Sequence, residues 1–264
     1  MNQQFLESPS RVPGAGEAPM LHLLGGPRVV HQGRWLDVPE GGKRLLAFVA
    51  LHGGRVERRH AAGTLWPSGD DLRAAGNLRS ALWRLKAAGI DLLDSDKCSL
   101  SVREHTVVDL YVLYGWAGRL INGTATAQDL SPLKWRTDAL DLLPGWYDDW
   151  VLLERERVRQ RLLHALEALS RELGRVGRHA EAVESALVAV SAEPLRESAQ
   201  RALIQAHLAE GNLVEAMRAY DTYRNLVRRE LGVDPGRELS ALIRDFCRAA
   251  TRSREVLAAR VRHA

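Results

Sequence analysis

The chain has 264 residues, 45% of them hydrophobic and 27% charged, with a formal net charge of +4. That length supplies a sizeable core and is shared more readily between two domains than held in one. The longest unbroken apolar run, Leu45–Leu51, is far short of a bilayer span, and the first twenty residues lack the basic-then-apolar layout of a signal peptide. A soluble protein of the cytoplasm, with no membrane contact, is therefore expected.

Residues 1–19 contain Pro, Gly, Ser and Glu with almost no apolar periodicity and read as a disordered tail. Short β-like runs follow, "LHLL", "RVVH" and "RWLDV", separated by Gly25-Gly26-Pro27 and Gln32-Gly33, which predicts a small antiparallel sheet. "KRLLAFVALHGG" is apolar nearly all round, as a buried helix is. A second helix, "ERRHAAGTLW", stops before Pro67 because the residue preceding proline is pushed out of the helical region. Ser68 and Asp71 then have capping-box spacing for a third helix, "DLRAAGNLRSALWRLKAAG", over residues 71–89.

In that third helix Ala74, Ala75, Leu78, Ala81, Leu82 and Leu85 form one apolar stripe. Opposite it Arg73, Asn77, Ser80 and Arg84 fall into a line, with Trp83 alongside and Arg79 and Lys86 toward the other edge. Arg matches guanine O6/N7 and Asn matches adenine N6/N7, so the line suits a DNA major groove; a merely solvated helix face is the competing reading. "IDLL" and "SLSVRE" flank Asp94-Ser95-Asp96-Lys97 as a hairpin with Leu100 and Val102 inward. Strands, three helices and a terminal hairpin make a winged helix over residues 20–110, whose third helix enters the groove.

Charge supports that placement. From Lys43 to Lys86 nine Lys/Arg face three Asp/Glu, a surplus of six charges that exceeds the total for the whole chain. The hairpin is net acidic, with Asp91, Asp94, Asp96, Glu104 and Asp109 in residues 87–110, so any phosphate contact from it falls to Lys97 or Arg103.

Residues 111–250 read as almost continuous helix. "GRHAEAVESAL" from Gly177 and "GNLVEAMRAYD" from Gly211 share G-x-x-x-E-A at an offset of 34, the period of tetratricopeptide helix pairs. Leu187, Leu195, Leu203, Leu208 and Leu213 are the expected shared core, and an α-bundle with a coincidental offset is the alternative. The fold class is thus mainly α: an N-terminal α+β winged helix followed by an all-α helical repeat domain. Residues 251–264 form a basic C-terminal tail with Arg252, Arg254, Arg260 and Arg262.

Catalytic constellations are missing from the reading. The nine histidines make no H-E-x-x-H, Cys98 and Cys247 have neither CxxC nor Cys/His spacing, and G-x-S-x-G and G-x-x-x-x-G-K-[ST] do not occur. Asp94 and Asp96 begin like a calcium loop, but Cys98 and Ser99 stand where a ligand and a glycine are needed, so a polar turn is expected. No metal, cofactor or enzymatic activity is expected. Trp146, Tyr147 and Trp150 have core-like spacing, with a ligand pocket as the alternative.

"GKRLLAFVALHGGRVERRHAAGTLWP", "NLRSALWRLKAAG", Val108-Asp109-Leu110, "LLPGWYDDWVLLERERVRQRLLHALEAL" and "LGVDPGREL" together resemble the antibiotic regulatory proteins of streptomycetes, over nearly all of residues 20–247. Those activators join an OmpR-type winged helix to a bacterial transcriptional activator domain. The resemblance implies sequence-specific binding to double-stranded DNA upstream of promoters, commonly as a dimer, recruitment of RNA polymerase, and control of secondary-metabolite clusters. It places the recognition helix around Asn77, Arg79, Ser80, Trp83 and Arg84. Two other functions fit the pattern, a tetratricopeptide scaffold and a ligand-responsive regulator; the basic surplus on residues 43–86 favours DNA over the first.

Overall fold

The computed structural model describes residues 18–131 and 141–248. Most of the N-terminal tail and the basic C-terminal arginines lie outside the described residues. The chain divides into two compact units, one of residues 1–116 with 133–159 and the other of residues 117–132 with 160–264. The sequence reading puts the junction near residue 110; by packing, the first unit runs to Trp116 and takes in a later segment as well.

In the first unit, β1 (Met20–His22), β2 (Arg28–His31) and β3 (Arg34–Leu36) form the expected antiparallel meander. A two-residue strand, β7 (Val107–Val108), joins β1 in parallel, giving the order β3-β2-β1-β7. Period-two alternation sends Leu21, Val29 and Val108 inward, all nearly inaccessible. α1 (Glu40–His52) follows, and its Leu45 to Ala50 are all buried, as its continuous apolar composition dictates.

α2 (Arg58–Leu65) and α3 (Asp71–Ala87) complete the three-helix core. α3 buries Ala74, Leu78, Ala81 and Leu85. It meets α1 where Gly42 has no side chain: a Cβ there would stand 2.6 Å from Leu85 Cδ2, so glycine sets the close approach. The wing is a second sheet, in which β6 (Ser99–Val102) pairs with both β5 (Leu93–Ser95) and β4 (Val56–Glu57).

Asp109, at the start of α4 (Asp109–Ile121), locks the first unit together. Its buried carboxylate accepts hydrogen bonds from the Leu23 backbone N at 2.9 and 3.0 Å, Leu24 N at 3.1 Å and Leu110 N at 2.7 Å. Residues 141–159 belong to this packing. Leu142 bridges Leu24, Arg44 pairs with Asp148 at 2.5 Å, and the Trp150 ring meets Phe48 edge-on at 5.2 Å, with Trp146 against Trp150. The expected aromatic core holds for these two tryptophans, whereas Tyr147 is 78% exposed.

The second unit is helical. α5 (Asp149–Arg175), which belongs to this unit from residue 160 onward, is followed by α6 (His179–Ala192), α7 (Glu197–Ala209) and α8 (Leu213–Leu231), and the offset of 34 falls on α6 and α8. Gly177 (φ 80°) and Gly211 (φ 83°) turn the chain ahead of α6 and α8 in the left-handed conformation that glycine accepts without strain. Leu203 and Leu208 are buried and Leu213 packs against their neighbours, as expected.

Leu187 and Leu195 do not join that core, being 44% and 36% exposed. α6 packs through Ala182, Ala186 and Ala189, small residues that let helices approach closely, and Leu187 lies off that line. Leu195 sits in the turn before α7. The apparent leucine repeat thus overcounts the core.

Candidate nucleic-acid interface

α3 presents the proposed reading surface. Its N-cap is Asp70, whose Oδ1 accepts the Arg73 backbone N–H at 2.7 Å, and not Ser68 as the capping-box spacing suggests. The helix begins at Asp71, so only Asp70 stands where a side-chain oxygen reaches the free N–H groups of the first turn. With the apolar stripe fixed inward, Arg73, Asn77, Arg79, Ser80, Trp83, Arg84 and Lys86 are all exposed, Trp83 by 70%.

The basic residues of this region fall into two sets. Lys43 pairs with Glu40 at 2.7 Å, Arg44 with Asp148, Arg55 with Asp96, and Arg59 with Asp71 at 3.2 Å. Arg58 donates to Ser95 Oγ and to the Asp96 carbonyl. Among the described residues Arg73, Arg79, Arg84, Lys86 and Lys97 have no carboxylate partner. Four of these five cations share the outward face of one helix, a concentration of uncompensated charge suited to a polyanion.

Part of the wing's acidity is matched within the hairpin. Asp96 accepts from Cys98 N and Ser99 N, both at 2.7 Å, and from Ser99 Oγ at 2.9 Å, besides pairing with Arg55. The two backbone N–H groups, foremost that of Cys98, hold its carboxyl down at about 2. This is a closed polar turn. The two wing cations differ in state: Lys97 is exposed and unpaired at the tip, whereas Arg103 is held between Asp91 at 3.0 Å and Asp94 at 3.4 Å. The sequence reading missed the clamping role of Asp96, although an aspartate followed two and three residues later by free N–H groups is the pattern of an Asx turn.

Comparison with known proteins agrees with this architecture. Residues 124–246 match the bacterial transcriptional activator domain. The chain is 29% identical over 253 residues to the regulatory protein AfsR of Streptomyces griseus, covering 90% of this chain and 25% of that protein. It is 30% identical over 189 residues to AfsR of Streptomyces coelicolor, covering 71% of this chain and 15% of that one. It thus spans a quarter or less of the length of these relatives. A solved structure of Mycobacterium tuberculosis EmbR in complex with a low affinity phosphopeptide shares the fold, with a TM-score of 0.68 at 20% identity over 92% of this chain and 69% of that one.

A winged helix joined to a bacterial transcriptional activator domain defines a class of regulatory proteins. Within that class, residues 124–246 carry the bacterial transcriptional activator domain, and the chain is similar to the Streptomyces antibiotic regulatory proteins.

Proposed function

We propose that this chain is a sequence-specific DNA-binding activator. In this reading residues 20–110 bind promoter-upstream duplex DNA through α3 in the major groove, and residues 111–250 serve dimerisation on DNA and recruitment of RNA polymerase holoenzyme. It acts in the cytoplasm, on a secondary-metabolite gene cluster, in keeping with the family. The carrying observation is the set of unpaired cations on the exposed face of α3, interleaved with Asn77 and Ser80. Asn77 and Arg84 read bases in this scheme; Arg73, Arg79, Ser80, Trp83 and Lys86 contact bases or backbone. Lys97 is the wing's phosphate contact, because Arg103 is already neutralised by Asp91 and Asp94.

Among the described residues no helix is long and apolar enough to cross a membrane. The deciding experiment maps binding genome-wide in the native cell and pairs it with transcription in vitro from a bound promoter using purified polymerase. Discrete promoter-upstream peaks and stimulated transcription are expected. Diffuse occupancy without stimulation would overturn the reading.

A further inference from the structure

The outward face of α3 carries a second line beside the first. Leu72, Gly76, Arg79 and Trp83 follow at i, i+4, i+7 and i+11, one row of a helix. Leu72 is 82% exposed and Trp83 70%, in a helix that buries Ala74, Leu78, Ala81 and Leu85. Leu72 makes no use of the core at all, and a leucine so placed in the first turn of a helix raises the question of what it touches. Charge answers it: Arg79 within the row and Arg73, Arg84 and Lys86 beside it have no carboxylate partners, so a polyanion is the surface that complements this face. Gly76 sits one turn beyond Leu72 with open space around it; a Cβ there would meet only Arg79 Nη2 at 3.9 Å. Packing does not require a glycine at that site, and helix propensity disfavours it by about 1 kcal/mol relative to alanine.

We infer that Leu72 is a specificity-determining residue that reads a thymine C5-methyl group in the major groove, and that Gly76 is present so that the α3 backbone can approach the duplex closely enough for it to do so. The inference rests on the DNA-binding reading above and deepens it. The thymine methyl is the one apolar feature on the major-groove edge of a base pair, so an exposed aliphatic side chain among arginines has one partner there. At ~1.5 Å per residue, Leu72 lies about 16 Å along the helix from Trp83. The two apolar contacts are therefore separate, and Leu72 can be tested alone.

The test begins with selection of the preferred site from a random duplex pool by the full chain. Each thymine of that site is then replaced singly by deoxyuridine, which removes only the methyl group. Affinity is measured for the unaltered chain and for Leu72→Ala, a change at an exposed position whose folding is checked by circular dichroism. For one thymine the unaltered chain should lose about fourfold in affinity, the equivalent of one methyl-sized burial. Leu72→Ala should bind the thymine and deoxyuridine forms of that site equally. Gly76→Leu, which fills open space, should keep or raise the melting temperature while lowering affinity tenfold or more. A selected site whose thymine-to-uracil penalties are the same in the unaltered chain and Leu72→Ala overturns this inference alone. Failure of the unaltered chain to select any sequence overturns the DNA-reading function and this inference with it.

Discussion

The salt dependence of DNA binding measures how many cations are free to displace counterions, and the structure separates those that have intramolecular partners from those that do not. Eleven Lys and Arg lie between residues 43 and 103, and all eleven acting on phosphate would give a slope of log K against log salt of about −10. Six of them are engaged within the protein: Lys43, Arg44, Arg55, Arg59 and Arg103 with carboxylates, and Arg58 with the wing turn. Arg73, Arg79, Arg84, Lys86 and Lys97 remain, which gives about −4.5 per protomer at roughly 0.9 per phosphate. If Arg84 directs its charge to a base edge, the value falls to about −3.6. The assay is fluorescence anisotropy on a single half-site across a salt series, because paired sites double the figure. Lys97→Ala should flatten the slope by about 0.9, and Arg103→Ala should leave it nearly unchanged. A slope steeper than about −7 would mean that the intramolecular pairs open on DNA, and a flat response would refute the electrostatic reasoning outright.

Asn77→Ala and Arg84→Ala should each cost about 1–3 kcal/mol on the preferred site and relax base preference, while Lys86→Ala weakens all sequences evenly; gel-shift titration on site variants reads this, and full preference in both alanine variants would mean that other residues read the bases. Asp109→Ala strips three backbone N–H groups of their buried acceptor and should cost about 3 kcal/mol or more, seen as a lower urea midpoint; an unchanged midpoint would show that water replaces the carboxylate. Asp129, 7% exposed, has its carboxyl lowered from 3.8 to about 2, first by its hydrogen bond from Arg119 and also by those from Thr126 N and Oγ1. Its folded value lies below its unfolded one, so its stabilisation is complete above about pH 4 and is lost as pH falls toward 2. With Arg119 half exposed this amounts to about 1 kcal/mol, which Asp129→Asn should forfeit at neutral pH; a carboxyl titrating near 4 by NMR would contradict it.

Features that depend on local periodicity were legible in the sequence. The apolar stripe of α3, the all-round apolar α1 and the repeat at Gly177 and Gly211 each extend over many residues, so several positions agree on one answer. Strands β4 and β7 were not legible, because two residues carry no period and both depend on partners remote in sequence, Leu100 and Ser99 for β4 and Met20 and Leu21 for β7. The same cause hides the packing of residues 141–159 into the first unit. Nothing in "LLPGWYDDW" announces that Trp150 meets Phe48 or that Asp148 meets Arg44. A fragment ending at residue 110 would lack Trp150 against Phe48 and Asp148 against Arg44.

The wing shows why a count of charges misjudges an interface. Five acids against two bases in residues 87–110 look repulsive to DNA, yet a carboxylate repels only where its charge is not already matched. Asp96 is turned onto two backbone N–H groups and Arg55, Asp91 and Asp94 onto Arg103, and Asp109 into the core onto Leu23 and Leu24. Each fixes the hairpin or its anchorage to the sheet. Exposed Glu104 has no cationic partner among the described residues, and Lys97, equally unmatched, stands at the tip of a hairpin held in shape by the other acids. Asp91, Asp94, Asp96 and Asp109 therefore shape the hairpin and its anchorage, and in the proposed binding mode that geometry offers Lys97 to a phosphate.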